Sequence, residues 1–153
     1  MAAKTVTLLS CDGKTFTVDA AVARMSLQVC NTLEECGDGD GPVPLPNVDG
    51  ATLAKVLEFC VFHSTTPARA EAESKAFDTS FKQDMSMETM EKVMMAANFM
   101  NIASLLGVMA ECIADKIKGK SPQEIRETFG ITNDFTPEEE AAVLEENAWA
   151  LVV

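Results

Sequence analysis

The stretch Lys4-Thr5-Val6-Thr7-Leu8-Leu9-Ser10-Cys11-Asp12-Gly13-Lys14-Thr15-Phe16-Thr17-Val18 decides the fold class. Val6 and Leu8 alternate with polar neighbours, and Phe16 and Val18 do the same beyond the turn. Asp12-Gly13 between the two runs is a strong short-range hairpin signal, because both residues tolerate the positive φ that tight hairpin turns need. Period-two alternation on both sides of such a turn predicts a β-hairpin. One further strand is expected, over Val43-Pro44-Leu45-Pro46. Its prolines cannot donate to a ladder, which limits it to a short edge strand. The remaining regular segments read as helix. Strands early and helices late define an α+β chain.

Working outward, Ala20–Met25 has room for a helical turn or two. Leu27, Cys30 and Leu33 keep helical spacing up to Gly37. The run Gly37-Asp38-Gly39-Asp40-Gly41 reads as a solvated turn, and Asp49 is placed to cap the next helix. Leu53, Val56, Leu57 and Cys60 form one apolar stripe reaching about Phe62. From Ser64 to about Ser80 the chain is polar and rich in Ala and Glu, with Pro67 inside it, and is expected as a linker or mobile loop. Periodicity returns at Met87, Met90, Val93, Met94 and Ala97. It resumes at Ile102, Leu105, Leu106, Met109, Ile113 and Ile117, before Gly119. Two further helices start on one pattern: Ser121-Pro122-Gln123-Glu124 and Thr136-Pro137-Glu138-Glu139. Each is a capping box with proline where its missing N–H costs nothing. The first should run to Phe129 and stop at Gly130. The second should run to about Asn147.

The 153 residues suit a single domain-sized body, and 47% are apolar, too many for a chain that fails to bury a core. Twelve Lys+Arg stand against 24 Asp+Glu, a net charge of −12. That balance argues against nucleic acid and against anionic membrane, both of which are bound by clustered cations. From Phe77 onward 6 Lys+Arg face 14 Asp+Glu, so −8 of the charge falls in the second half. No run approaches the about 20 apolar residues of a membrane span, and no secretory signal or prenylation box is expected. The five cysteines, Cys11, Cys30, Cys36, Cys60 and Cys112, are odd in number and irregular in spacing. They read as free thiols of a reducing compartment, hence cytosol, nucleus or both.

Enzyme chemistry finds little support. Cys60-x-x-His63 has a ligand-like spacing, but structural zinc takes four ligands and His63 is the single histidine. A Cys–His nucleophile has no local signature. Gly37–Gly41 lacks both the lysine of a phosphate loop and the closing Glu of a calcium loop. Glu138-Glu139-Glu140 has a sufficient role at a helix start, where carboxylates meet the positive end of the dipole. No catalytic residue, metal or cofactor is therefore expected. The methionines at 87, 90, 94 and 95 suit a core, with part of the stripe a candidate contact surface.

The last third is unusual. Its two helices are short, so each needs tertiary packing, and each has a narrow apolar edge: Ile125 and Phe129 on one, Ala141 and Leu144 on the other. Ile131-Thr132-Asn133-Asp134-Phe135 joins them, and Trp149 sits just past the second. Two readings are open. The tail folds back on the body, or Ile125, Phe129, Ile131, Phe135 and Trp149 form an open groove for a partner helix.

At these residues the sequence resembles the S-phase-kinase-associated (SKP-type) adaptor family of SCF ubiquitin ligases. Ile117-Lys118-Gly119-Lys120-Ser121-Pro122-Gln123-Glu124-Ile125-Arg126-Glu127-Thr128-Phe129 is similar to its IKGKTPEEIRKTF signature. Asn133–Glu140, Ala96–Ile102, Pro42–Val48 and the opening Ser10–Phe16 resemble further family segments, in order along nearly the whole chain. Pro137, and Ala150 after Trp149, resemble plant members.

The resemblance implies a BTB/POZ-type α+β fold with two extra C-terminal helices. Residues 1–65 would be its N-terminal part, 66–80 a variable linker, 81–106 its C-terminal helices and 107–153 an F-box-binding extension. It implies a non-catalytic adaptor bridging a cullin N-terminal domain to F-box proteins, in nucleus and cytoplasm. Asn98 and Phe99 correspond to the family's cullin contact. Ala114, Ile117, Lys118, Ile125, Phe129, Ile131, Asn133, Phe135, Asn147 and Trp149 correspond to its F-box contact. Phe99 stands where the family has Tyr, Gly107 where it has Asp, and Phe77 where it has Trp. The alternative is an F-box-binding stabiliser or decoy that engages no cullin. Weak self-association of the free chain through the groove is a further expectation.

Overall fold

A computed structural model describes residues 4–37, 41–65 and 71–151. The hairpin forms as its alternation dictates. β1 (Thr5–Ser10) and β2 (Thr15–Asp19) pair antiparallel, with Val6 opposite Val18 and Leu8 opposite Phe16. Gly13 takes φ 81° in the turn, a value that suits glycine. β3 (Val43–Leu45) runs parallel to β1, pairing Leu8 with Val43, and the sheet order is β2-β1-β3. The proline-bearing strand is thus at the edge. Val43 and Leu45 are buried while Pro44 faces out.

The helices of the first compact unit, Met1–Lys118, cover this small sheet. α1 (Ala20–Ala23) follows β2 directly. α2 (Leu27–Cys36) starts at Ser26, whose Oγ accepts the Val29 N–H at 3.2 Å and donates to the Met100 carbonyl. α3 (Gly50–Thr65) is capped as expected, with the Thr52 N–H donating to Asp49 Oδ1 at 2.8 Å. That bond holds the Asp49 carboxyl below its ordinary pKa. α5 (Met87–Met100) and α6 (Ala103–Ile117) pack together, and α5 also packs on α3. Asn101, at φ 54°, makes the left-handed turn between α5 and α6. Leu8, Val29, Leu45, Leu53, Val56, Phe59, Met90, Val93, Leu105 and Met109 are among the fully buried residues of the core.

The stretch expected as a linker differs. Residues 66–70, and Asp38, Gly39 and Asp40 of the expected acidic turn, lie outside the described residues. Glu71–Gln83, however, is a helix, α4. Its apolar residues are few but correctly spaced. Phe77 and Phe81, four apart, give one apolar edge, while Lys75 pairs with Glu71 at 2.6 Å on the exposed side. Polar composition hid a helix that packs through two rings.

The second compact unit, Gly119–Val153, contains α7 (Pro122–Phe129), α8 (Pro137–Glu146) and the four-residue α9 (Ala148–Leu151). The division into these compact units falls between Lys118 and Gly119, because α6 is continuous to Ile117 and packs on α5. Both capping boxes are closed. Ser121 Oγ accepts from Glu124 N–H at 3.3 Å and Glu124 Oε2 from Ser121 N–H at 2.8 Å. Thr136 and Glu139 repeat this at 3.2 and 2.9 Å. Gly130, at φ 65°, ends α7 where the sequence placed the stop.

Candidate functional site

Two groups of residues carry the functional expectation, one wholly in the first unit and one with members in both. In the first, Asn98 and Phe99 lie in the last turn of α5. Asn98 is exposed, and Phe99 is half-buried against the core. This end of α5 is fixed from outside. Ser26 donates to the Met100 carbonyl, and the Leu27 N–H donates to the Asn101 carbonyl at 3.3 Å. The methionine stripe divides: Met90 is buried, Met87 and Met94 are half-buried, and Met95 is 63% exposed one turn before Asn98. Leu27, tied to Asn101, is also exposed. Met95 is thus the part of the methionine stripe left open as a candidate contact surface, three residues from Asn98 on the same helix; Leu27 was not among the expected site residues. Ala114 and Ile117 fall in the last turns of α6 and Lys118 is its C-cap, Ile117 half-buried and the other two exposed.

The second unit holds the rest. Ile125 and Phe129 are half-buried on α7. Ile131 and Phe135, on the connection to α8, are exposed, and so are Asn133 and Asn147. Trp149 is 80% exposed, so the reading in which the tail buries it is not what the structure shows. It lies inside α9, with the Ala150 N–H bonded to the Asn147 carbonyl at 2.9 Å. Val143 and Leu144 of α8 are exposed as well. Val143 was missed because its apolar neighbours in sequence leave no clean stripe. Among the described residues, five large apolar side chains of this short helical unit thus face solvent.

The residues once considered for enzyme chemistry have structural work. His63 lies 4.3 Å from the Phe59 ring and 5.7 Å from Phe77, ring centre to ring centre, and its Nε2 is 3.0 Å from Asp78 Oδ1. Cys60 is buried, and burial pushes its thiol pKa up to about 12, so it stays neutral at physiological pH. A neutral buried thiol is a poor ligand and a poor nucleophile. Among the described residues no group of three or more His, Cys, Asp or Glu stands in a metal-holding arrangement. Nor is any described helix long and apolar enough to cross a membrane.

Residues 4–65 match the Skp1 family tetramerisation domain, and residues 103–150 match the Skp1 family dimerisation domain. The chain belongs to the Skp1 family. Skp1-family relatives align along almost its entire length. An E3 ubiquitin ligase complex SCF subunit, sconC of Talaromyces marneffei, is 43% identical over 95% of this chain and 96% of its own. SKP1-like protein 11 of Arabidopsis thaliana is 43% identical over 98% of this chain and 99% of its own. SKP1-like protein 18 of the same plant is 39% identical over 97% and 98%. The three-stranded sheet with its helices is accordingly the POZ-type α+β fold, and the match to the Skp1 family dimerisation domain takes in α6, α7, α8 and the start of α9.

Proposed function

We propose that this protein is the non-catalytic adaptor subunit of an SCF-type, cullin-RING E3 ubiquitin ligase. It bridges the cullin scaffold to F-box substrate receptors, and the ubiquitin chemistry belongs to other subunits. Family membership supplies the class. The observation that carries the mechanism is the exposed apolar set Ile131, Phe135, Val143, Leu144 and Trp149, on and beside two helices, α7 and α8, whose N-termini are closed by their own capping boxes. An F-box helix laid on this set buries apolar area without having to fold the unit first. Ile125, Phe129, Asn133 and Asn147 of the second unit are assigned to receptor contact by the same reading, as are Ala114, Ile117 and Lys118 at the end of α6 in the first. Asn98 and Phe99, with Met95 beside them, form the cullin surface. The adaptor works in nucleus and cytoplasm, and free chains associate weakly through the Trp149 surface.

The test is a pull-down of the purified full chain with a panel of F-box domains and with a cullin N-terminal domain. Phe129→Ala with Trp149→Ala should abolish F-box binding and spare cullin binding. Asn98→Lys should do the reverse; Phe99 is left intact because it packs against the core. Loss of both partners in either variant, with the fold retained, contradicts a two-surface adaptor. Wild-type chain that binds F-box domains and no cullin is instead a decoy.

A further inference from the structure

One carboxylate oxygen organises the connection between α7 and α8. Glu140 Oε1 accepts from Arg126 Nη1 at 3.4 Å and from Asn133 Nδ2 at 3.3 Å. The other end of the Asn133 amide is also engaged, with its Oδ1 accepting the Phe135 N–H at 3.1 Å. The Arg126 carbonyl accepts the Ile131 N–H at 2.8 Å, and the Arg126 guanidinium lies 5.9 Å from the centre of the Phe135 ring. Both exposed apolar residues of the connection are therefore held by their backbone N–H groups, one to Arg126 and the other to Asn133, and both holding residues end on Glu140.

Residues 131–136 have no regular secondary structure, and every one of them is exposed. The Arg126 side chain is only 17% exposed, so its bond to Glu140 is better shielded from water than an ordinary surface pair. A connection without such ties would sample many backbone states, and fixing them would be charged against the affinity for a partner. The family resemblance assigns Asn133 to partner contact, yet each end of its amide already makes one hydrogen bond inside the unit.

We propose that Glu140, Asn133 and Arg126 are positioning residues. They hold Ile131 and Phe135 in the arrangement that a receptor helix meets, and Asn133 serves recognition through this network, not as a contact. The proposal rests on the F-box reading above, and its test separates the two. Hydrogen exchange at the Phe135 N–H needs no partner, while affinity is measured with an F-box domain that the pull-down shows to bind the full chain.

Glu140→Ala should speed Phe135 exchange about tenfold and weaken the F-box domain about tenfold, with association slowed, because the competent arrangement becomes a minor one. Glu140→Gln keeps the accepting oxygen and should restore both values to within about threefold of wild type. Unchanged Phe135 exchange in Glu140→Ala overturns the tether. Faster exchange with unchanged affinity overturns the positioning role. Glu140→Gln that keeps wild-type exchange and still loses affinity makes Glu140 a contact residue, and also overturns it. A wild-type chain with no affinity for any F-box domain overturns the underlying reading, whatever the exchange shows.

Discussion

The ring of Phe77 lies flat on that of Phe62, centroids 3.8 Å apart and planes 5° from parallel. Phe62 belongs to α3 and Phe77 to α4, and the stack continues through Phe59 and Phe81. Beside it, His63 reaches Asp78 at 3.0 Å. These contacts hold α4 in place. Phe77→Ala should destabilise the protein by about 2 kcal/mol, less than for a fully buried ring. The fall should appear in urea denaturation, with amide exchange in Glu71–Gln83 rising first. An unchanged midpoint and unchanged exchange would mean that α4 is held by something other than this stack.

Gly107 sits within α6, and a Cβ added there would meet nothing within 4 Å. Its φ is not in the left-handed region, so an L residue fits without strain. Gly107→Ala should therefore stabilise the chain by about 0.5–1 kcal/mol through the lower entropy of the unfolded state. Calorimetry should show Tm rising by about 1–4 °C. A lower Tm would reveal a close approach that the structure does not contain.

The Ser121 N–H, and then its hydroxyl, hold the Glu124 carboxyl below its ordinary pKa. A depressed folded-state pKa gives a stabilisation that is complete above the unfolded value and is lost as pH falls through the folded one. The α7 cap should thus be intact at neutral pH and weaken only below the ordinary carboxylate range. NMR shifts of the Ser121 and Glu124 amides against pH should report this. Glu124→Gln should remove the pH dependence; a slope that persists in that variant assigns the effect to another group.

Cysteine accessibility offers a direct check on the core. Cys11 and Cys36 are exposed, Cys30 is half-buried, and Cys60 and Cys112 are buried. Alkylation of the native chain at mildly basic pH should label Cys11 and Cys36 readily and Cys30 more slowly. Cys60, with its thiol pushed up to about 12, and Cys112 should react only once denaturant is added. Fast labelling of Cys60 in the native chain would contradict its place in the core.

Local chemistry made much of this fold legible. The Asp12-Gly13 turn, the proline-limited edge strand, the Asp49 cap and both capping boxes are short-range devices, and each stands where its residues put it. α4 was not legible, because its hold on the body is the Phe62–Phe77 stack between residues fifteen apart in sequence. Similarly, the apolar residues of the last third could be found by spacing, but not whether they were covered. Only the exposure of Trp149 and Phe135 decides that. The ties of Asn133 also lay beyond sequence reading, since its partners are a backbone N–H two residues on and a carboxylate seven residues on.

No described residue of the second unit is buried, and its helices are secured by Ser121, Thr136, Gly130 and the Arg126–Glu140 pair. In the proposed reading, the exposed apolar side chains that would meet a receptor are therefore not the ones that cap these helices. In the proposed reading, substitutions at Ile131, Val143, Leu144 or Trp149 would change which receptor is accepted at little risk to α7 and α8. Duplicated copies of such a chain can drift apart in partner choice while keeping one architecture, a freedom that the tightly packed first unit does not have.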